Sequence, residues 1–169
     1  MKTDTKRLVT LAMLVSVAMI LSYIESLLPP LAAIPGVKLG LSNVATLFAL
    51  LTLGPLAAIS VSLVRVFLSA LLFGNAMALI FSLFGAALSL IVMILFSRLK
   101  IFSPVGISIL GAVAHNAGQI IAAMIVLKTS AIVYYLAPLV VSGTLAGIVI
   151  GIVSGLLSKR LGSILKLEQ

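Results

Sequence analysis

One basic side chain, Arg65, stands deep inside an apolar run, between Val64 and Val66. An ionisable group near the centre of a membrane-spanning helix costs about 2.5–3.5 kcal/mol on insertion scales, so its presence asks for a compensating contact. Two compatible contacts fit. Arg65 can be the counter-charge for an anionic or strongly polar ligand. It can also be a structural partner for Glu25, or snorkel its head towards the surface. Glu25 is the acidic residue that lies away from the termini, the other two being Asp4 and Glu168. Its place one turn from the end of a long apolar run favours the interfacial layer over direct ligand contact. Pairing with Arg65 or Lys38 is the alternative.

A second polar group is His115-Asn116 with Gln119. Residues 115 and 119 are four apart and share one helical face, with 116 beside it. Three hydrogen-bonding side chains within one turn do not belong against lipid. Small neighbours (Gly111, Ala112, Ala114, Ala117, Gly118) allow a helix or a ligand to approach closely. The group therefore reads either as ligand contacts or as interhelical hydrogen bonding. Asn43, beside Ser42, is a further ligand candidate, whereas Asn75 after Gly74 reads as a turn residue. Tyr134 and Tyr135 suit an aromatic belt at the membrane surface.

Much chemistry is excluded. There is no cysteine, so disulfides and thiolate metal sites are ruled out, and a lone histidine has too few partners for a metal. No phosphate-binding glycine loop or nucleophile elbow occurs. Three dispersed carboxylates cannot form the magnesium-binding pairs that diphosphate chemistry needs. The sequence therefore predicts no enzyme, no cofactor and no metal. The formal charge of +8 is not a nucleic-acid signature, because the basic residues sit between apolar runs.

These side chains must be positioned by helices in a bilayer. Of 169 residues, 63% are hydrophobic and 8% charged, with mean hydropathy +1.40; soluble domains carry about 25% charged residues. Too few charges exist to cover a water-facing surface. A helix crossing the hydrocarbon layer needs about 20 residues. Breaks at Pro29-Pro30, Gly54-Pro55, Gly74-Asn75, Arg98–Pro104 and Lys128–Ser130 divide the chain into six helices, at 8–28, 39–53, 55–73, 76–97, 105–127 and 132–158. The expected fold is one all-α integral membrane domain over 1–169. The N-terminal run is too long for a cleaved signal and reads as a first, retained helix.

Orientation follows from the positive-inside rule. With both ends cytoplasmic, the inner segments hold Lys2, Lys6, Arg7, Arg98, Lys100, Lys159, Arg160 and Lys166, and the outer ones only Lys38 and Lys128. The Gly54-Pro55 junction carries no charge, so the count of six rests on its being a turn; a kink would give five crossings. In this layout Glu25, Asn43, Arg65 and Gln119 fall in the outer half, Arg65 and Gln119 each about 12 Å below the boundary. A shared depth on separate helices is what a binding pocket open to the outside requires.

The stretch Gly36-Val-Lys-Leu-Gly-Leu-Ser-Asn-Val-Ala-Thr-Leu-Phe-Ala-Leu-Leu-Thr-Leu-Gly-Pro55 resembles a bacterial family labelled heptaprenyl diphosphate synthase component I, or Gx transporter. That family in turn resembles the substrate-binding S-components of energy-coupling factor (ECF) transporters. The likeness covers the whole chain in length, helix layout and the Gly-Pro break. It implies an S-component-like bundle in the bacterial cell membrane. Such a bundle captures a vitamin-like or cofactor-precursor molecule through Arg65, His115, Asn116, Gln119, Asn43, Glu25 and Lys38. The loop from Leu31 to Lys38 would gate the pocket. Docking on ECF transmembrane and ATPase partners would use small residues of the first helix; the nearest match to the usual Ala-x-x-x-Ala is Ala12-x-x-x-Ser16, with Ala18 beyond. Transport would proceed by toppling of the subunit. Two other readings stand beside this one. An autonomous secondary transporter would move a coupled proton on His115 or Glu25. A non-transporting subunit would anchor an isoprenoid, quinone or redox complex.

Overall fold

The computed structural model describes the backbone of residues 2–27 and 40–165, and the side chains of 5–27 and 40–162. Six α-helices follow one another: α1 (Lys2–Leu27), α2 (Asn43–Leu53), α3 (Pro55–Phe73), α4 (Ala76–Arg98), α5 (Pro104–Leu127) and α6 (Leu136–Leu165), with a 3-10 helix at Ser130–Tyr135 before the last. Five of these segments are long and apolar enough to cross a membrane, and α2 is a shorter apolar helix. Large apolar side chains such as Leu8, Leu56, Leu71 and Ile91 stand exposed on the outer faces, a surface suited to hydrocarbon rather than water.

The helix boundaries follow from local chemistry. Asn75 caps α4, its side chain accepting from Ala78 N at 2.9 Å, which bears out its reading as a turn residue. Ser103 caps α5 by accepting from Gly106 N at 3.2 Å, with Pro104 in the first turn, where its missing N–H is harmless. Gly54 ends α2 at φ 90°, a left-handed value that glycine adopts without strain, and Pro55 starts α3. The junction is therefore a true break between two helices that pack on each other.

Four expected boundaries shift by four residues or more, among them the end of the last helix, at Leu165 rather than residue 158. The first helix begins at Lys2 rather than residue 8, because nothing before the apolar run breaks a helix. The second begins at Asn43 rather than Leu39: Gly40 takes φ 82° and residues 40–42 form the entry turn. At 11 residues α2 rises about 16 Å, so it falls short of the expected spanning length. Tyr134 and Tyr135 lie in the 3-10 helix and not in the opening of α6; both remain exposed.

Helix α2 occupies the centre. Ala45, Leu47, Ala49 and Leu50 are buried against Ala57, Ala58 and Val61 of α3, Ala18 of α1, Leu90 and Met93 of α4, Ile107 of α5 and Ile150 of α6. Ser154 Oγ of α6 donates to Val44 O at 3.1 Å, tying the two helices. A second apolar cluster joins Phe81, Ile120, Ala123, Ile132 and Leu139. The closest backbone approaches lie among α4, α5 and α6. A Cβ at Gly118 would lie 2.5 Å from Phe84 O, one at Gly147 2.7 Å from Ile109 Cα, and one at Gly151 2.5 Å from Val105 Cα. Together with Gly143 and Gly155, the α6 glycines recur every four residues and form one stripe against α5.

Candidate functional site

Residues of two consecutive helices, α2 and α3, begin the site. Asn43 opens α2, and its Oδ1 accepts from Arg65 Nη2 at 3.4 Å. Arg65 is only 4% exposed, and its Nε has no hydrogen-bond partner. Glu25 of α1 is within coulombic reach of the guanidinium. The expectation that Glu25 sits in the interfacial layer is overturned. It is 6% exposed, and its carboxylate accepts the backbone N–H of Gly40. That contact comes from the turn before α2, fifteen residues on, which no pattern around Glu25 announces.

His115 of α5 closes the arrangement from the other side. A Cβ on Gly40 would lie 2.7 Å from Asn43 Nδ2 and 3.7 Å from His115 Cδ2, so Glu25, Gly40, Asn43 and His115 meet at one level of the bundle. A Cβ on Gly85 of α4 would lie 2.9 Å from His115 Cε1 and 3.0 Å from Gln119 Cγ. Glycine at 85 thus lets α4 approach the His115–Gln119 face. Both side chains are buried, as the i, i+4 spacing requires.

Asn116 belongs elsewhere. Its Nδ2 donates to Leu139 O at 2.7 Å and packs on Gly143, so it bonds α5 to α6, while its Oδ1 is left without a partner. The 100° between successive helical residues carries it away from His115. Lys38 and the expected gate from Leu31 to Lys38 lie outside the described residues. Of the expected docking residues, Ala12 and Ser16 are exposed on α1, with Ser16 Oγ donating to Ala12 O at 3.0 Å. Ala18 is not available to a partner, because it is wholly buried in the core.

Three hydroxyls were not foreseen. Ser22, Ser42 and Thr46 are buried, and none of their oxygens has a hydrogen-bond partner. Ser22 lies one turn before Glu25, Ser42 precedes Asn43, and Thr46 follows it by one turn. Their signal was available: on α1 and α2 they share faces with the charged and amide residues. A buried unsatisfied polar group costs about 1–3 kcal/mol. Natural cores leave few of them, so four such donors on the mutually packed first three helices and the turn before α2, Arg65 Nε included, call for an explanation.

A groove of about 630 Å³ lies apart from these residues. It is lined by Ile59 and Leu63 of α3, Ala87, Ile91 and Ile94 of α4, and Ile121 of α5. No polar side chain lines the groove. In a bilayer, acyl chains suffice to fill such a surface.

Apolar helices of spanning length, apolar outer faces and a buried polar interior define a multi-pass helical membrane protein. Residues 14–157 match the family described as heptaprenyl diphosphate synthase component I, and the chain belongs to that family. Comparison with curated proteins and with solved structures finds no match.

Proposed function

We propose that this chain is a membrane-embedded substrate-binding subunit for uptake of a vitamin-like or cofactor-precursor small molecule. ATP hydrolysis is supplied by partner subunits, in the manner of the S-components that the sequence resembles. The observation that carries this reading is Arg65: a buried guanidinium with an unpartnered Nε, in contact with Asn43, whose neighbours Ser42 and Thr46 carry unpartnered hydroxyls. In this reading Arg65, Asn43 and Glu25 contact the ligand from α3, α2 and α1, and His115 and Gln119 from α5, while Asn116 serves the helix packing. The chain crosses the bacterial cell membrane six times with both ends inside. The exposed Ala12 and Ser16 lie on the face offered to an ECF transmembrane subunit. The chain itself catalyses nothing: its three carboxylates are too few and too scattered for diphosphate chemistry.

Measuring the small molecules retained by gently purified protein, before and after Arg65→Ala, tests this. Loss of a retained compound with the gel-filtration profile unchanged supports capture at Arg65; equal retention rejects it. Co-purification with an ATPase supports the partner assignment.

The family description favours a second reading, an anchor subunit of an isoprenoid biosynthetic complex. Co-purification with a prenyl-transferring enzyme and no retained small molecule would favour it. Gradient-driven uptake by the chain alone in liposomes would instead favour a secondary transporter.

A further inference from the structure

The guanidinium of Arg65 has five N–H donors and no acceptor. Two of them, on Nε and Nη2, point the same way and form one flat edge of the group. On that edge Nη2 reaches Asn43 Oδ1 only at 3.4 Å, and Nε reaches nothing. The edge is therefore left unsatisfied inside the bundle, the residue being 4% exposed. Ser42 beside Asn43, Thr46 one turn further along α2, and Ser22 one turn before Glu25 on α1 are three more buried hydroxyls whose protons have no acceptor. The unmet groups are thus rich in donors, and what would satisfy them is an acceptor with two coplanar oxygens.

Charge narrows the choice. Among the described residues Arg65 is the buried cation and Glu25 the buried anion, within coulombic reach of each other. Arg65 can offset one negative charge on a ligand; the second charge of a phosphate or diphosphate, held beside Glu25 in this water-poor interior, meets repulsion that no further described cation offsets.

We propose, resting on the capture reading above, that the ligand's charged end is a single carboxylate seated on the Nε–Nη2 edge of Arg65, and not a phosphate or diphosphate. The site thereby discriminates against the prenyl diphosphates that the family description brings to mind. Arg65 supplies the bidentate contact, and Ser42, Thr46 and Ser22 supply hydroxyl donors. Glu25 sets the limit of one negative charge.

The test uses the full chain in phosphatidylcholine nanodiscs and reads the thermal unfolding midpoint against paired probes that share one body. These are 2-naphthoate with 2-naphthyl phosphate and 2-naphthol, and farnesoate with farnesyl diphosphate and farnesol. At least one carboxylate should raise the midpoint saturably, while its phosphate partner does no more than the alcohol. Arg65→Lys keeps the charge but loses the edge, and should weaken carboxylate binding by about tenfold or more. Glu25→Gln should raise phosphate binding relative to carboxylate, a change that a merely structural glutamate would not produce. Preference for the phosphate in the native chain, or unaltered carboxylate binding by a folded Arg65→Lys protein, overturns the proposal. If Arg65→Lys does not fold, the head-group preference of the native chain and the Glu25→Gln ratio decide it. Mass spectrometry of retained molecules separates the two levels. A retained phosphate ester overturns the carboxylate assignment and leaves capture standing. No retained molecule and no response to either series overturns both.

Discussion

The two halves of this bundle are held together by opposite means. In α4, α5 and α6 glycines bring backbones into contact, and Asn116 ties α5 to α6 by donating to Leu139 O at 2.7 Å, although Ser89 Oγ and Asn116 Oδ1 remain unmet. In α1, α2 and α3 the interior carries the buried charges Glu25 and Arg65 with Ser22, Ser42, Asn43 and Thr46, and four of their atoms have no partner. The first half is a close-packed scaffold, as lipid-embedded helices tend to be. The second leaves donors unspent in a place where each lowers stability. A protein keeps such a defect when something outside the chain completes it. His115 is where the scaffold touches the unfinished half, with Gly40 on that side and Gly85 of α4 on its own.

The contrast predicts opposite signs for substitutions in the two regions. The largest effect belongs to the scaffold. Gly118→Val places carbon where Phe84 O would be 2.5 Å away, and overpacking of this kind costs about 1–3 kcal/mol or more. A sharply lower thermal midpoint in detergent is the expected result; an unchanged one would mean α4 and α5 do not meet there. Next comes Arg65→Ala, which should cut ligand retention by about tenfold or more, equivalent to about 1.4 kcal/mol, with little change in the folded yield. Equal losses of retention and yield would erase the distinction between the halves.

Thr46→Val comes third and is the sharpest test of the sign. It removes an orphaned hydroxyl and preserves shape, so it should stabilise the empty protein by about 1 kcal/mol while weakening capture. Destabilisation would show that the hydroxyl already has a partner. Smallest is Asn116→Ala, which loses one interhelical hydrogen bond worth about 0.6 kcal/mol in membrane proteins. It should lower the midpoint slightly and leave ligand retention unchanged. Lost retention would return Asn116 to the site.

How legible this was from sequence differs between the same two regions. Pro55, Asn75 and Pro104 mark helix starts because each has a local reason to be there, and the structure puts α3 and α4 at the expected first residues. The pairing of His115 with Gln119 on one buried face follows from helical spacing alone. The partition of Asn116 onto a different neighbour does not, since it depends on where α6 packs. The four-residue repeat of Gly143, Gly147, Gly151 and Gly155 was readable and passed over in favour of the polar residues. Glu25 was placed at the surface by its distance from a helix end. Its real environment is made by Gly40, which reaches it through a turn that apolar periodicity does not register. The start of α2 was misjudged for a related reason: Leu39 and Leu41 look helical, but Gly40 at φ 82° interrupts them.

The brevity of α2 bears on the order in which the chain can be assembled. With 11 residues, it has too little greasy length to be retained across a bilayer by partition alone. Its position must come from neighbours, and one of those is Ser154 on α6, 110 residues further along the chain than Val44. The centre of the molecule therefore cannot be locked until α6 has been made. Until then α2 is tethered to α3 by the Gly54-Pro55 joint, and Asn43 at its start lacks its final surroundings.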